Sequence, residues 1–383
     1  MKPNIAVVFG GESVEHDISI ITGVQTLNAI NKQKYNVVPL YIDKVGRWLT
    51  SSDFFSVENF LDKNKMKKAK EISFVCGSKY VFLKTKIGLR KWMCLDSVVL
   101  CCHGGNGENG AIQGFFEVLG FPYTSPDVIS SAICMDKILS KKVLKESGIS
   151  VVDYTVFTKQ EYENNFKTCL KKVEGNLSFP VILKPAKLGS SIGITVCKNK
   201  KQFKEGLELG FKFDKNVLVE KFVEDLKEVN VSVLSCDDFC YLSKIETPTF
   251  KKEIFSFEDK YLSTNKKTAS KTNTKKVVLA DIDKETENKI LKIAKKASEV
   301  LNIKGLIRID FIIDKKTGDI YLNELNTIPG SLANYLWEGR FDFPKLIDKM
   351  IESAKKNFEN DKKYIKSFES SVLEKNKFSK LKV

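Results

Sequence analysis

The chain has 383 residues, of which 42% are apolar, and this is enough to bury more than one hydrophobic core, so two or three domains are expected. It carries 63 basic against 48 acidic residues, a formal net charge of +15, which raises nucleic-acid binding as a hypothesis. The arginines among them are only Arg47, Arg90, Arg308 and Arg340. Because base recognition relies on arginine, the excess of lysine favours a solvated surface, and nucleic-acid binding is the weaker alternative.

The nine cysteines are scattered without a CxxC pair, which is typical of free thiols in a reducing compartment. Cys101 and Cys102 precede His103, but neighbouring residues on a strand point to opposite faces and no second ligand pair follows, so zinc is not predicted. The apolar run at 5–9 is too short for a signal peptide, and no stretch approaches the ~18 apolar residues of a membrane span. We therefore expect a cytoplasmic protein without a membrane partner.

Residues 1–125 predict a doubly wound α/β domain. The apolar strand at 5–9 leads through a glycine-rich loop to helical spacing over 18–30, and the strand at 97–102 leads through a second such loop to a helix over 111–120. Parallel strands with helices between them place binding sites at the carboxyl ends of the strands, where both loops lie. A lone Gly-Gly pair is too little for a dinucleotide-binding fingerprint.

Residues 126–220 predict a small α+β domain with a helix from Met135 to Glu146 and a hairpin around the sequence LKPAKLGSSIG at 183–193. A Gly-Ser turn is common in ordinary hairpins. The alternative is a flap whose backbone N–H groups and hydroxyls close over phosphate while a lysine supplies charge. The stretch alone leaves both interpretations open.

Residues 221–353 predict a third, α+β domain, and 354–383 a lysine-rich helix and frayed tail. The predicted elements of the third domain are strands at 229–234, 239–245, 306–313 and 320–325 and a helix near 284–301. Between them, residues 263–276 contain almost no apolar side chains, which predicts a mobile lid at about 251–280.

The last two strands carry polar side chains with a spacing that suggests a metal site. Because side chains alternate along a strand, Arg308 shares a face with Asp310, and Glu324 shares one with Asn326. A hairpin would bring all four together, and two carboxylates with an amide carbonyl are ligands that Mg²⁺ prefers when phosphates complete its octahedron. An ordinary solvent face is the alternative, but the intervening residues are largely apolar, so we favour the metal site.

Metal-bound nucleotide needs its phosphates held from several sides. The candidates for this are Lys137, Lys184, Ser190 and Ser191. Glu220 and Lys221 end a strand that leads from the small domain into the third one, a position suited to a hinge that lines an adenine pocket. Glu228 is the candidate for a ribose hydroxyl.

Several motifs follow one another in the order found in D-alanine:D-alanine ligases of the ATP-grasp superfamily. They are GGESVEHDIS, HGGNGENGAIQGFFEVLGFPYTSPDVISSAICMDK, LKPAKLGSSIGI, VLVEKF, EDKYL, RIDF and NELNTIPG. The chain resembles this family over about residues 4–350. The resemblance implies an α/β ATP-grasp fold, with an N-terminal Rossmann-like domain and ATP between the central and C-terminal domains, and it favours the flap at 183–193.

The resemblance implies ATP-dependent ligation of two D-alanine molecules through an acyl phosphate, for peptidoglycan precursors. A carboxylate is a poor electrophile, so phosphorylation supplies a leaving group before the amine attacks. By resemblance, two Mg²⁺ ions, with Mn²⁺ as a substitute, bind Asp310, Glu324 and Asn326. The residues implied to bind ATP are Lys137, Lys184, Ser190, Ser191, Glu220, Lys221, Glu228 and Lys260. Dimers are frequent among such ligases, so a homodimer is also implied.

The resemblance assigns further roles near the substrates. Glu15 looks like the anchor for the ammonium group of the first D-alanine, although an acid at a helix start is common in any case. Ser190 and Tyr261 resemble the partners that connect Glu15 to the closed flap. Arg308 and the backbone N–H of Gly330 are implied to stabilise the tetrahedral oxyanion. The residues implied to bind substrate are Glu15, His103, Lys260, Arg308, Gly330, Tyr335 and Leu336.

Two departures from the family lie around the lid and the second-substrate pocket. Tyr335 stands where the family usually has a serine that helps to receive the second substrate's carboxylate, and the segment KKVVLADID lacks the usual Pro-Ala. The pair Lys260–Tyr261 resembles ligases with an amine acceptor rather than a hydroxy-acid acceptor. D-Alanine is the expected second substrate, and D-serine or another amino acid remains the alternative.

Overall fold

The computed structural model describes residues 2–248 and 279–370. Within these residues the strands are β1 (Asn4–Gly10), β2 (Asn36–Ile42), β3 (Trp48–Thr50), β4 (Lys70–Phe74), β5 (Tyr80–Thr85), β6 (Gly88–Cys94), β7 (Ser97–Leu100), β8 (Tyr154–Thr158), β9 (Val181–Pro185), β10 (Thr195–Cys197), β11 (Asn216–Lys221), β12 (Leu226–Cys236), β13 (Phe239–Leu242), β14 (Gly305–Asp314) and β15 (Ile320–Asn326). The α-helices are α1 (His16–Ala29), α2 (Lys63–Lys68), α3 (Ala111–Leu119), α4 (Val128–Met135), α5 (Lys137–Glu146), α6 (Lys159–Asn164), α7 (Phe166–Asn176), α8 (Lys200–Gly210), α9 (Lys284–Val300) and α10 (Phe343–Asp361).

The first sheet has the strand order β6-β5-β4-β3-β2-β1-β7. β1 runs parallel to both of its neighbours, β2 and β7, as the sequence predicts for a doubly wound domain. Residues 5–9 of β1 are fully buried, as expected for a central parallel strand covered on both faces. From β2 outward the sheet continues with antiparallel pairs to β6, an extension that the sequence analysis did not predict.

The second sheet, β10-β9-β11-β8, is antiparallel throughout and contains the predicted hairpin of β9 and β10. The single helix predicted from Met135 to Glu146 is wrong in its start. Asp136 is extended and accepts hydrogen bonds from the backbone N–H groups of Ile138 and Leu139, so it ends α4 and caps α5. Lys137 therefore becomes the first residue of α5.

The third sheet has the order β13-β12-β14-β15, again with antiparallel neighbours. In the β14–β15 register Asp310 lies opposite Glu324 and Arg308 opposite Asn326, which confirms the shared face predicted from alternation. A bulge after Asp310 leaves Asn323 without a partner position in this register.

The last described helix joins the C-terminal part of the chain to the first sheet. Leu346, Ile347 and Met350 of α10 are buried in the same core as β1 and β7. The helix crosses the division predicted between residues 353 and 354, because it begins at Phe343 and ends at Asp361. Each sheet otherwise lies in one of the three predicted segments to within one residue, and the domain limits themselves remain a prediction. Among the described helices, none combines the length and apolar character that a membrane span requires.

Candidate functional site

The polar face of β14 and β15 forms the centre of the candidate site. The guanidinium of Arg308 binds Asp310 through two hydrogen bonds, from Nε and Nη2, of 2.7 and 2.8 Å. The Asn326 amide donates to Asp310 Oδ2 at 3.1 Å, and Glu324 is the residue paired with Asp310 on the next strand. The side chains of Asp310 and Glu324 are 19% and 26% exposed, so the two carboxylates are open on one side.

This donor set fits a magnesium site. Two carboxylates and an amide oxygen are hard ligands, and Mg²⁺ takes few protein ligands because phosphates and water complete its octahedron. Within residues 2–248 and 279–370, no three His, Cys, Asp or Glu side chains come together as metal ligands, and Asn326 is the third ligand that the sequence predicts. In this structure a protein cation is paired with each carboxylate, Arg308 with Asp310 and Lys137 with Glu324.

Two lysines reach this face from the second sheet and its helix. Lys137 Nζ lies 3.1 Å from Glu324 Oε1 and donates to the carbonyl of Leu188, at the start of the loop between β9 and β10, at 2.8 Å. Lys184 Nζ donates to the side-chain oxygen of Asn323, the bulge residue, at 3.0 Å. The structure therefore brings both predicted phosphate-binding lysines to β15, Lys137 to the predicted metal ligand Glu324 and Lys184 to the adjacent Asn323, which strand alternation could not identify.

Glu220 is enclosed rather than exposed to a cleft. Its side chain is 1% exposed, and its carboxylate oxygens each lie 2.6 Å from an ammonium group, that of Lys141 and that of Lys184. Burial, the largest influence, raises the pKa of Glu220, but the charges of the two lysines outweigh it and lower the pKa to about 2. Lys141 was missed by the sequence analysis, since nothing local indicates that a helix residue pairs with a strand 79 positions later.

The two other residues predicted to bind adenosine lie beyond Glu220 along the chain. Lys221 is exposed at the end of β11, and its backbone N–H binds the carbonyl of Asp153. Glu228 is half-buried on β12, and strand alternation puts it on the same face as Asn230, the residue opposite Asp310.

Glu15 contacts the loop between β9 and β10. It occupies the N-cap position of α1, but its side chain makes no capping hydrogen bond, and it accepts one from the hydroxyl of Ser190 instead. Gly104 has a φ of +67° and lies so close that a Cβ there would come within 2.5 Å of Glu15 Oε2. The sequence left a simple helix-start acid as an alternative role for Glu15, and this geometry favours the contact with the flap.

The serines of the flap have unusual backbone angles. Ser190 and Ser191 both have φ in the left-handed region, at +54° and +58°. For residues other than glycine this conformation costs about 1–2 kcal/mol each, and such strain collects at binding sites. Both residues are half-buried, so they line the site without being enclosed by it.

The loop after β15 holds the predicted oxyanion group. A Cβ on Gly330 would have no described heavy atom within 4 Å, so its backbone borders open space. The next three residues, Ser331, Leu332 and Ala333, all have positive φ, between +47° and +53°. His103, on the loop after β7, is 4% exposed and hydrogen bonds to the backbone of Ile328, so it contacts this loop from the first domain.

Tyr335, which was predicted to border the second-substrate pocket, lies against Arg308. Its phenol hydrogen bonds to Arg308 and to Glu246, and burial above all raises the pKa of both Tyr335 and Glu246. The Leu336 side chain is fully buried, and its carbonyl accepts a hydrogen bond from Lys244. Glu246 was missed by the sequence analysis, because an acid near the end of a strand has no local feature that distinguishes it from a solvent-facing one.

Glu108 is a second acid that the sequence analysis missed. Its carboxylate accepts hydrogen bonds from the N–H of Gly104 at 2.7 Å and of Ile328 at 3.1 Å, and so joins the glycine-rich loop of the first domain to the loop after β15. Burial, with the charge of Glu15, raises the pKa of Glu108 to about 8. An acid enclosed by glycines in HGGNGENG is the signal that could have identified it.

The predicted lid residues Lys260 and Tyr261, and nearly all of the predicted lid at 251–280, lie outside the described residues, as do 371–383 of the predicted tail. The site described here therefore consists of the flap, the two strands of the metal face, the loop after β15, and the two glycine-rich loops of the first domain.

Comparison with known proteins matches both halves of the chain to one family. A family model described as the D-ala D-ala ligase N-terminus matches residues 4–126, and one described as the D-ala D-ala ligase C-terminus matches residues 143–352. The D-alanine–D-alanine ligase of Thermosipho melanesiensis is 42% identical over 373 residues, which cover 97% of this chain and 98% of that protein.

Solved structures give the same match. The D-alanine-D-alanine ligase of Coxiella burnetii superposes with a TM-score of 0.77 at 27% identity, over 94% of this chain and 96% of that one. The VanG D-Ala:D-Ser ligase of Enterococcus faecalis also gives a TM-score of 0.77, at 28% identity, over 92% and 100% of the two chains.

Proposed function

Because the chain belongs to the D-alanine–D-alanine ligase family, we propose that it joins two D-alanine molecules at the expense of ATP, for peptidoglycan precursors. ATP phosphorylates the carboxylate of the first D-alanine, the amine of the second attacks the acyl phosphate, and phosphate leaves with formation of the peptide bond. The predicted ATP-grasp fold agrees with the fold of the solved relatives.

The observation that carries this proposal is the register of β14 and β15 together with the two lysines that reach it. Asp310, Glu324 and Asn326 lie at adjacent positions, and Lys137 from α5 and Lys184 from the second sheet extend to the same strand. A triphosphate needs cations on several sides, and this arrangement supplies them from a helix and from a sheet. Bound Mg²⁺ neutralises the charge that moves between phosphate oxygens.

The remaining residues act on the substrates. Glu15 holds the ammonium group of the first D-alanine, with Ser190 closing the flap on the same carboxylate. Arg308 and the N–H of Gly330 lie on the side where the oxyanion forms. His103 neighbours the first substrate's carboxylate. Tyr335 and Leu336 border the second substrate, and the lid residues Lys260 and Tyr261 complete the set on the grounds of the resemblance alone.

Glu220 takes a modified role in this proposal. Because both of its carboxylate oxygens hold lysines, its side chain orients Lys184 for phosphate instead of contacting adenine, and the adenine role is left to Lys221. Glu228 serves the ribose. A cytoplasmic location, a homodimer and the use of Mn²⁺ in place of Mg²⁺ stay predictions.

The test is phosphate release from ATP with D- and L-amino acids supplied in pairs, and identification of the dipeptide by mass. We expect release that requires D-alanine and Mg²⁺, and a loss of at least about 100-fold in Asp310→Ala and Glu324→Ala, since a ligand to the charge-neutralising ion is removed. Asp319→Ala, in the exposed turn between the same strands, is the matched control and should keep activity. Tight, salt-sensitive binding of polyanions without turnover would instead support the nucleic-acid alternative.

The departure at Tyr335 concerns the second substrate, for which D-serine or another amino acid is the alternative to D-alanine. A tyrosine fills more space than serine, and its hydroxyl is already bound by Arg308 and Glu246. The similarity to a D-Ala:D-Ser ligase is as close in structure as that to a D-alanine-D-alanine ligase. The pairwise screen separates the two, because D-serine as the better acceptor gives a dipeptide of different mass.

A further inference from the structure

The loop that carries Gly330 is held on both sides by residues of the first domain. On the N-terminal side, the N–H of Ile328 donates to Glu108, and its carbonyl accepts from His103. On the C-terminal side, the N–H of Ser331 donates to the hydroxyl oxygen of Thr22 at 3.1 Å. Gly330 therefore lies between two residues, Ile328 and Ser331, whose backbones are both hydrogen-bonded to the first domain.

Thr22 makes a second contact with the same group of loops. Its hydroxyl oxygen lies 2.8 Å from His103 Nε2, and its side chain, on α1, is 1% exposed. Burial lowers the pKa of His103 to about 4, so the ring is neutral and carries one proton. The Thr22 hydroxyl can donate or accept, so it can pair with Nε2 in either tautomer of this ring.

The single hydroxyl group of Thr22 therefore makes two hydrogen bonds. It pairs with His103 Nε2 and its oxygen accepts from the N–H of Ser331, so one buried hydroxyl joins the loop after β7 to the loop after β15. The second loop needs such support, because Ser331, Leu332 and Ala333 all lie in the left-handed region that side chains disfavour.

We propose that Thr22 is a positioning residue that fixes the Gly330 N–H and the second-substrate pocket by holding Ser331 and His103 in one arrangement. An oxyanion donor is effective when its position is set before the reaction, and a displacement of about 1 Å costs on the order of 100-fold in rate. The inference rests on the proposed ligase function and adds to it a residue that touches neither substrate.

The test compares Thr22→Val with Thr26→Val. Thr26 lies one turn further along α1 and is fully buried. Its hydroxyl donates to the carbonyl of Thr22 within the helix and accepts from the Cys101 thiol at 3.5 Å, and neither contact involves the loop that carries Gly330. We expect Thr22→Val to lower kcat and raise the KM of the second D-alanine by about tenfold, the value of a lost hydrogen bond, with the KM of the first D-alanine changed much less. Thr26→Val should keep wild-type kinetics, and Thr22→Ser, which restores the hydroxyl, should recover them.

The outcomes separate the inference from the function on which it rests. Thermal denaturation of both valine variants shows how far stability alone changes, and equal kinetics in the two overturn the inference while leaving the function intact. A change confined to the first D-alanine, or no recovery in Thr22→Ser, overturns it as well. A wild-type chain without D-alanine-dependent phosphate release overturns the proposed function and the inference together.

Discussion

The ammonium group of Lys184 lies 2.6 Å from a carboxylate oxygen of Glu220 on the neighbouring strand. Both side chains are nearly enclosed, at 9% and 1% exposure, and Lys141 holds the other oxygen of the same carboxylate. Two cations thus share one anion, which leaves one positive charge in excess next to the predicted phosphate site.

Glu220→Gln should destabilise the fold by about 3–5 kcal/mol, because it leaves two buried ammonium groups without a counter-charge. The control is Glu174→Gln, which breaks an exposed ion pair with Lys200 of 3.0 Å and should cost less than about 1 kcal/mol. Denaturant titration of both variants measures the difference. Equal losses of stability in the two variants would mean that the buried Glu220 carboxylate contributes no more to the free energy of unfolding than an exposed ion pair does.

Lys141→Met should weaken ATP binding without comparable loss of stability. The remaining Glu220–Lys184 pair is neutral and methionine fills similar space, so the fold tolerates the change. In the variant, Glu220 neutralises the charge of Lys184 completely, and no excess positive charge remains beside the phosphate site. We therefore expect the KM for ATP to rise about tenfold. Lys142→Met, at the exposed neighbouring position, is the control and should leave that KM unchanged. An unchanged KM in Lys141→Met would remove the proposed link between Glu220 and phosphate.

The metal face could be predicted from the sequence because it depends on a local rule. Side chains alternate on a strand, and the hairpin partner follows within a few residues, so Arg308, Asp310, Glu324 and Asn326 could be assigned to one face without a structure. Asn323 could not be assigned in this way, because a bulge shifts the alternation and no local residue pattern indicates the bulge.

Long-range partners account for most of what the sequence analysis missed. The pairs Lys141–Glu220 and Thr22–Ser331 each join residues that are far apart in the chain and meet only when a helix packs against a distant strand or loop. The same holds for the antiparallel extension of the first sheet, because the order of its strands depends on which strand pairs with which sheet edge. The break between α4 and α5 at Asp136 is different, because an N-cap aspartate is a local signal. The helical spacing of apolar residues continues across Asp136, and the sequence therefore predicted one helix.

His103 should make the fold less stable as the pH falls from about 6.5 to 4. Its pKa is lowered from 6.5 to about 4, mainly by burial and further by the charge of Arg308, although the carbonyl of Ile328 opposes the shift. In this range the unfolded chain binds the proton and the folded chain does not, so the free energy of unfolding decreases by up to about 3 kcal/mol. Above pH 6.5 the His103 ring is unprotonated in both the folded and the unfolded chain, so it no longer lowers the free energy of unfolding.

The measurement is denaturant unfolding of wild type and His103→Gln between pH 4 and 7. The carboxylates that titrate in this range are common to both proteins, so their contribution cancels in the difference. We expect the stability advantage of the wild type to shrink as the pH falls. A constant difference across the range would mean that His103 titrates in the folded protein at its ordinary pKa.

Tyr335→Phe should lower the rate of peptide-bond formation more than it affects binding of the first substrate. The ring and its packing are kept, and only the hydroxyl that binds Arg308 and Glu246 is lost. Arg308 then keeps its two hydrogen bonds to Asp310 but loses the one to Tyr335. Its guanidinium is less well oriented toward the oxyanion, and we expect kcat to fall about tenfold, the value of one hydrogen bond. Tyr335→Ser, which opens the pocket as well, should in addition raise turnover with larger second amino acids relative to D-alanine. Product identification by mass with mixed acceptors measures this preference, and a Tyr335→Ser variant with the acceptor profile of the wild type would show that this side chain does not border the second substrate.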